Sequence, residues 1–128
     1  MIEMMKVLYQ TIDNAHDYET HNAQAPTDAT YPYAIYKVLP LQSSEKDRND
    51  YTLEISCWDK GETSHTRVLQ MAEDIRRAIL GYRHLDKYNL IIVDRPTLGY
   101  VPDSDAKIKR YDVTANLKTY RRLLNGSK

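Results

Sequence analysis

Hydrophobic positions change period along the chain, and each change marks an element. Met1, Met5, Leu8 and Ile12 fall at i, i+4, i+7 and i+11, one face of a helix over residues 2–13. The stretch "NAHDYETHNAQAPTDAT" (14–30) is polar, ends in turn residues and predicts a loop. "YPYAIYKVL" (31–39) is aromatic and branched and predicts a strand, with Pro32 at its start or on an edge and Pro40 as its stop. "LQSSEKDRND" (41–50) has no apolar periodicity and predicts a long exposed connection. Tyr51, Leu53, Ile55 and Cys57 then alternate with Thr52, Glu54 and Ser56, the period of a half-buried strand that ends at the turn "DKGE".

A second helix follows, with Thr63 or Ser64 as cap and Val68, Ala72, Ile75 and Ile79 as its apolar face, widened by Leu69 and Ala78. Arg76 and Arg77 near its end favour the helix dipole, and Gly81 is the stop signal. "YNLIIVD" (88–94) predicts a third strand ended by Pro96. "TLGYVPDSDA" (97–106) carries turn signals together with Leu98, Tyr100 and Val101, so it can extend as a broken strand. Tyr111, Val113, Ala115 and Leu117 alternate with Asp112, Thr114, Asn116 and Lys118 in a fourth strand, and residues 122–128 predict a frayed end. The expected fold is α+β in the order α-β-β-α-β-β: a mainly antiparallel four-stranded sheet packed against two helices. One domain is expected over 1–128, with residues 1–30 as its N-terminal helix and loop.

Charge changes this picture in one respect. The formal net charge is zero, so nothing global draws the chain to nucleic acid or anionic lipid. Its distribution is uneven: residues 1–30 carry one Lys against five acids, and residues 107–128 carry seven Lys and Arg against one Asp. An acidic front and a basic end can meet head to tail in two copies. The single cysteine excludes an internal disulfide and suits a reducing compartment. "MIEMMKVLYQ" lacks the features of a signal peptide, and no apolar run approaches the roughly 20 residues of a membrane span. A soluble cytoplasmic protein without a membrane partner is expected. Eleven Tyr and no Phe suit half-buried sheet faces and interfaces.

Candidate chemistry is thin. Cys57 is followed by Asp59 and His65, the residue types of a nucleophile site. Cys57 shares its strand face with Leu53 and Ile55, however, which favours a small buried hydrophobe with a raised thiol pKa. His16 and His21 stand five apart beside Asp17 and Glu19, a spacing that matches no common zinc pattern and favours solvated loop side chains. "DSD" at 103–105 lacks the Gly and distal Glu of a calcium loop. The four glycines stand singly, so there is no phosphate-binding loop. The basic stretch "KIKRYDVTANLKTYRR" resembles a nucleic-acid surface in composition. Its alternation puts Lys107 and Lys109 on one face and Arg110 and Lys118 on the other, which favours a solubilised edge strand. No catalytic, cofactor-binding or metal-ligating residue is assigned, no cofactor is expected, and the chain is not expected to be an enzyme.

"YPYAIYKVLP", then a polar gap, then "DYTLEISCWDKGETSHTRVLQMAEDIRRAIL" and a closing "DAKIKRYDVTANLKTYRR" together resemble the bacteriophage tail-completion or tail-terminator proteins. The order of the pieces, from about Tyr31 to Arg121, carries the likeness. The resemblance implies a ring, usually a hexamer, at the end of the tail tube of a phage or prophage. Such a ring stops tube polymerisation and provides the head-joining surface. It implies a virion location, with host cytoplasm during assembly, and as partners further copies of the chain, the tail-tube protein and a head-completion or connector protein. The alternatives are a head–tail connector or minor capsid subunit, or a small nucleic-acid- or peptide-binding module. A closed ring needs a heterologous interface. Asp13, Asp17 and Glu19 of one copy facing Lys107, Lys109 and Arg110 of the next is the expected contact. The polar loop residues Ser43, Ser44, Glu45, Lys46, Asp47 and Arg48 are the expected contact with tube or connector.

Overall fold

The computed structural model describes residues 2–41, 48–61, 65–85 and 89–121. Helix α1 spans Ile2–Asn14 and α2 spans Thr66–Ile79. Seven strands accompany them: β1 (Glu19–Asn22), β2 (Tyr33–Leu41), β3 (Arg48–Lys60), β4 (Arg83–Leu85), β5 (Asn89–Val93), β6 (Thr97–Val101) and β7 (Ile108–Arg121). They form one sheet in the order β1-β2-β3-β7-β5-β4, with β6 also on β7. β1 runs parallel to β2, and the other pairings are antiparallel. The sheet is therefore mixed and curls into a half-barrel.

This corrects the expected four-stranded, mainly antiparallel α+β sheet in the order α-β-β-α-β-β. β1 lies within the stretch expected as a loop, because its four residues carry no apolar alternation and gain strand geometry only from pairing with β2. β4 is three residues long, too short to show a period. β3 starts at Arg48 and runs through Lys60, and β7 runs from Ile108 to Arg121, so both exceed their apolar cores. Long central strands recruit polar flanks because each gains a full ladder from the other, from Arg48↔Tyr120 to Lys60↔Ile108. Pro40 does not stop β2, which continues to Leu41 beside Tyr51 and Asp50. The cap expected at Thr63 or Ser64 lies outside the described residues. His65 precedes α2 and makes no side-chain cap hydrogen bond. Gly81 takes the left-handed φ of +70° that ends this helix.

The helices cover one face of the sheet. Leu53, Ile55 and Cys57 of β3, Val113, Ala115 and Leu117 of β7, and Ala34 and Tyr36 of β2 form one core with Leu8 and Ile12 of α1 and Val68, Met71, Ala72, Ile75 and Ile79 of α2. Fully burying such a Leu, Ile or Val contributes roughly 1.5–3 kcal/mol before the entropy of ordering is counted. β5 and β6 both pair with the same edge of β7, one after the other. Asp94 bridges them by donating its amide to the Asn116 carbonyl at 2.8 Å.

Candidate assembly surface

Alternation in β3 and β7 turns every second side chain away from the helices. Glu54, Ser56 and Trp58 lie there beside Thr114, Asp112 and Arg110. The Arg110 guanidinium donates to both Asp112 oxygens at 2.9 and 3.0 Å, reaches Ser56 Oγ at 3.4 Å and stacks 4.9 Å from the Trp58 ring centroid. Arg48 pairs with Asp50, and Lys118 with Asp94 at 3.3 Å. The Trp58 indole N–H is shielded from solvent and has no acceptor among the described residues. Around β3 and β7 this face is polar with its charges paired, while the exposed Leu39 and Leu41 of β2 lie on the same side.

The helix-covered face ends in two charged residues on one rung, Asp59 and Lys109, which are 5% and 4% exposed. Asp59 accepts from Arg67 at 2.7 and 2.9 Å and from the Lys60 amide at 2.8 Å. Burial pushes its carboxyl pKa up, but these bonds with the Arg67 and Lys109 charges overcome that and hold it below the usual value. Lys109 Nζ donates to the carbonyls of Gly61 and Ala106 at 2.9 and 3.0 Å. Nearby, His65, Tyr100 and Tyr111 form a ring cluster with centroids 5.3–5.8 Å apart, and the Tyr111 hydroxyl lies 3.0 Å from His65 Nδ1.

The residues singled out in the sequence are distributed as follows. Asp13 is half-buried on α1, Asp17 is exposed in the turn after it, and Glu19 on β1 accepts from His21 Nε2 at 2.9 Å. Lys107 is exposed before β7, Lys109 is engaged inside the fold and Arg110 is paired on the outer face. Ser43, Ser44, Glu45, Lys46 and Asp47 lie outside the described residues, and Arg48 is the first residue of β3. Cys57, Asp59 and His65 are each engaged separately. Cys57 is fully buried in the core, where burial and then the Asp112 charge push its thiol pKa up to about 12. Asp59 holds Arg67, and His65 contacts Tyr111. His16 and His21 also diverge, His16 to Thr20 at 2.8 Å and His21 to Glu19. The aromatic cluster and the two short edge strands were not foreseen, since Tyr100 and Tyr111 meet only because β6 and β7 pair.

No helix among the described residues is long and apolar enough to cross a membrane. No protein-family model matches the sequence, and no curated protein matches it. The fold does recur in solved structures. A chain from the virion of a native gene transfer agent particle is 14% identical, with 89% of this chain and 84% of that one covered at a TM-score of 0.54. A second solved chain, carrying no functional description, is 8% identical with 96% of each chain covered at a TM-score of 0.61. At these identities the likeness is one of fold.

Proposed function

We propose that this chain is a structural protein of a phage-like virion, and within it a ring subunit that ends the tail tube and offers the surface for the head. The observation that carries this reading is the fold shared, over nearly the whole chain, with a component of a gene transfer agent virion. The sequence resemblance to tail-terminator proteins points the same way and supplies the finer role.

The charge distribution supports a heterologous contact between copies, in which Asp13, Asp17 and Glu19 meet Lys107 and Arg110 of the next subunit. Lys109 belongs to the interior in this arrangement, so it contributes to folding and not to the contact. Solution mass by light scattering tests the reading, at low and high salt, with and without the cognate tail-tube protein. A ring-sized species that dissociates as salt rises is expected, because exposed charge pairs are screened within about 8–10 Å. Lys107→Glu combined with Arg110→Glu should weaken it at constant salt. A monomer under every condition, tube protein included, would overturn the ring.

A further inference from the structure

The sheet is open, and its two edges are staggered. At one edge β1 covers only Tyr33–Tyr36 of β2, so Lys37–Leu41 has no strand on its outer side among the described residues. At the other edge β7 carries β6 along Arg110–Thr114, and β5 followed by β4 along Leu117–Arg121. The rungs can be followed from end to end. Glu19 aligns with Tyr33, Trp58, Arg110 and Val101, and Asn22 with Tyr36, Ile55, Val113 and Leu98. β1 and the outer edge of β6 thus occupy the same four rungs at opposite ends of one sheet. They also run in opposite senses. β2 and β7 point the same way because both oppose β3, β1 follows β2, and β6 opposes β7.

The edges differ in how they are guarded. Proteins blunt edge strands with charge, proline or shortness. The uncovered part of β2 carries Lys37 and Pro40, and β4 has three residues including Arg83. β6 is "TLGYV", five residues with neither charge nor proline. Its outward backbone groups form a template for another strand. Gly99 leaves room on the helix-free side, since a Cβ there would meet nothing within 4 Å.

We propose that β1 of one copy pairs antiparallel with β6 of the next, so that the sheet continues from subunit to subunit around the ring. This deepens the ring reading and rests on it. The occupant is a second copy because the same chain supplies a polar strand of matching length, level and sense at its far edge. β6 pairing with β6 would be isologous and would close a dimer instead of a ring. In the proposed pairing His21, which shares the helix-free side with Tyr33, lies over the space at Gly99 or beside its neighbours on that side, Thr97 and Val101.

Cysteine crosslinking of mixed copies tests this. One preparation carries His21→Cys, and three others carry Thr97→Cys, Gly99→Cys or Val101→Cys. The native Cys57 can stay because it is buried. A disulfide needs Cα atoms roughly 4.4–6.8 Å apart, so it reports strand pairing and not mere proximity. After mild oxidation of the assembled protein, a covalent dimer is expected in a mixture with at least one β6 variant and in no preparation alone. Rings of full mass with no mixed crosslink at any of the three positions would overturn the pairing and leave the ring reading standing. Crosslinking within a β6 preparation alone would also overturn it, in favour of an isologous edge. Protein that never assembles, even with the tube protein, would remove the ring and the pairing with it.

Discussion

The two faces of β3 and β7 are built from the same backbone and alternate residue by residue, yet they are held in place differently. On the helix side, Leu53, Ile55, Val113 and Leu117 are fully buried and make the fold by exclusion of water. On the other side, Glu54, Ser56, Asp112 and Thr114 sit on the intervening rungs, and charges there are matched in pairs such as Arg110 with Asp112. The first face is finished within the chain. The second is wettable, and its Trp58 indole N–H has no acceptor among the described residues. What remains unfinished is the edges, where backbone donors and acceptors have no strand beyond them among the described residues. The edges are therefore where a further strand can extend the sheet.

The contrast predicts a large asymmetry between neighbours in sequence. Ile55→Ala empties a site that is 0% exposed and should cost about 2–5 kcal/mol. Glu54→Ala, one residue away and facing outward, should change stability by no more than about 0.5 kcal/mol. Urea unfolding with unchanged m-values would measure both. Equal losses at the two positions would mean that the outer face contributes as much to the fold as the core does.

A smaller effect separates buried from exposed lysines. Lys109→Ala removes the donor to the Gly61 and Ala106 carbonyls and should cost about 1–3 kcal/mol. Lys60→Ala, at an exposed position on the paired strand, should stay within about 0.5 kcal/mol. This difference explains why reversing Lys109 is a poor probe of assembly. The variant would loosen the fold at Asp59 and the β6–β7 turn before it reported on any partner. If Lys109→Ala were as mild as Lys60→Ala, Lys109 would return to the list of candidate contacts.

Much of the core was legible because its signal is local. The alternation from Tyr51 to Cys57 and from Tyr111 to Leu117, and the helical spacing of Val68, Ala72, Ile75 and Ile79, are properties of neighbouring residues. The sheet order was not legible, since β3 and β7 pair across a separation of 48–72 residues and no local pattern encodes that. β1 and β4 escaped for the same reason: "ETHN" and "RHL" become strands through their partners. The alternation of residues 107–118 set Lys109 on the same face as Tyr111 and Val113, but its charge made it read as exposed. Only the geometry of the Gly61 and Ala106 carbonyls shows what holds the ammonium inside. The two edges on matching rungs, which carry the assembly proposal, follow from the full ladder and from nothing shorter.

The smallest effect concerns how far the inner side of β1 is closed to water. Thr20 is 8% exposed and faces the helices, and its hydroxyl meets His16 Nε2 at 2.8 Å. The Tyr18 amide donates to His16 Nδ1 at 3.0 Å. Nδ1 is therefore the unprotonated nitrogen, and Nε2 carries the proton that it gives to Thr20. Protonating Nδ1 would break the Tyr18 bond. Burial lowers the His16 pKa below its ordinary 6.5, and the carboxylates of Asp13, Asp17 and Asp74 pull it back only in part. A histidine depressed in the folded state supports folding above about pH 6.5 and loses that support as pH falls through the folded value. The imidazole should titrate by NMR with a midpoint below 6.5, and the Tyr18 amide should lose exchange protection over the same range. Asp17→Asn should lower the midpoint further, since it removes one of the charges that favour the imidazolium. A midpoint at or above 6.5 would mean that the three carboxylates outweigh burial at His16.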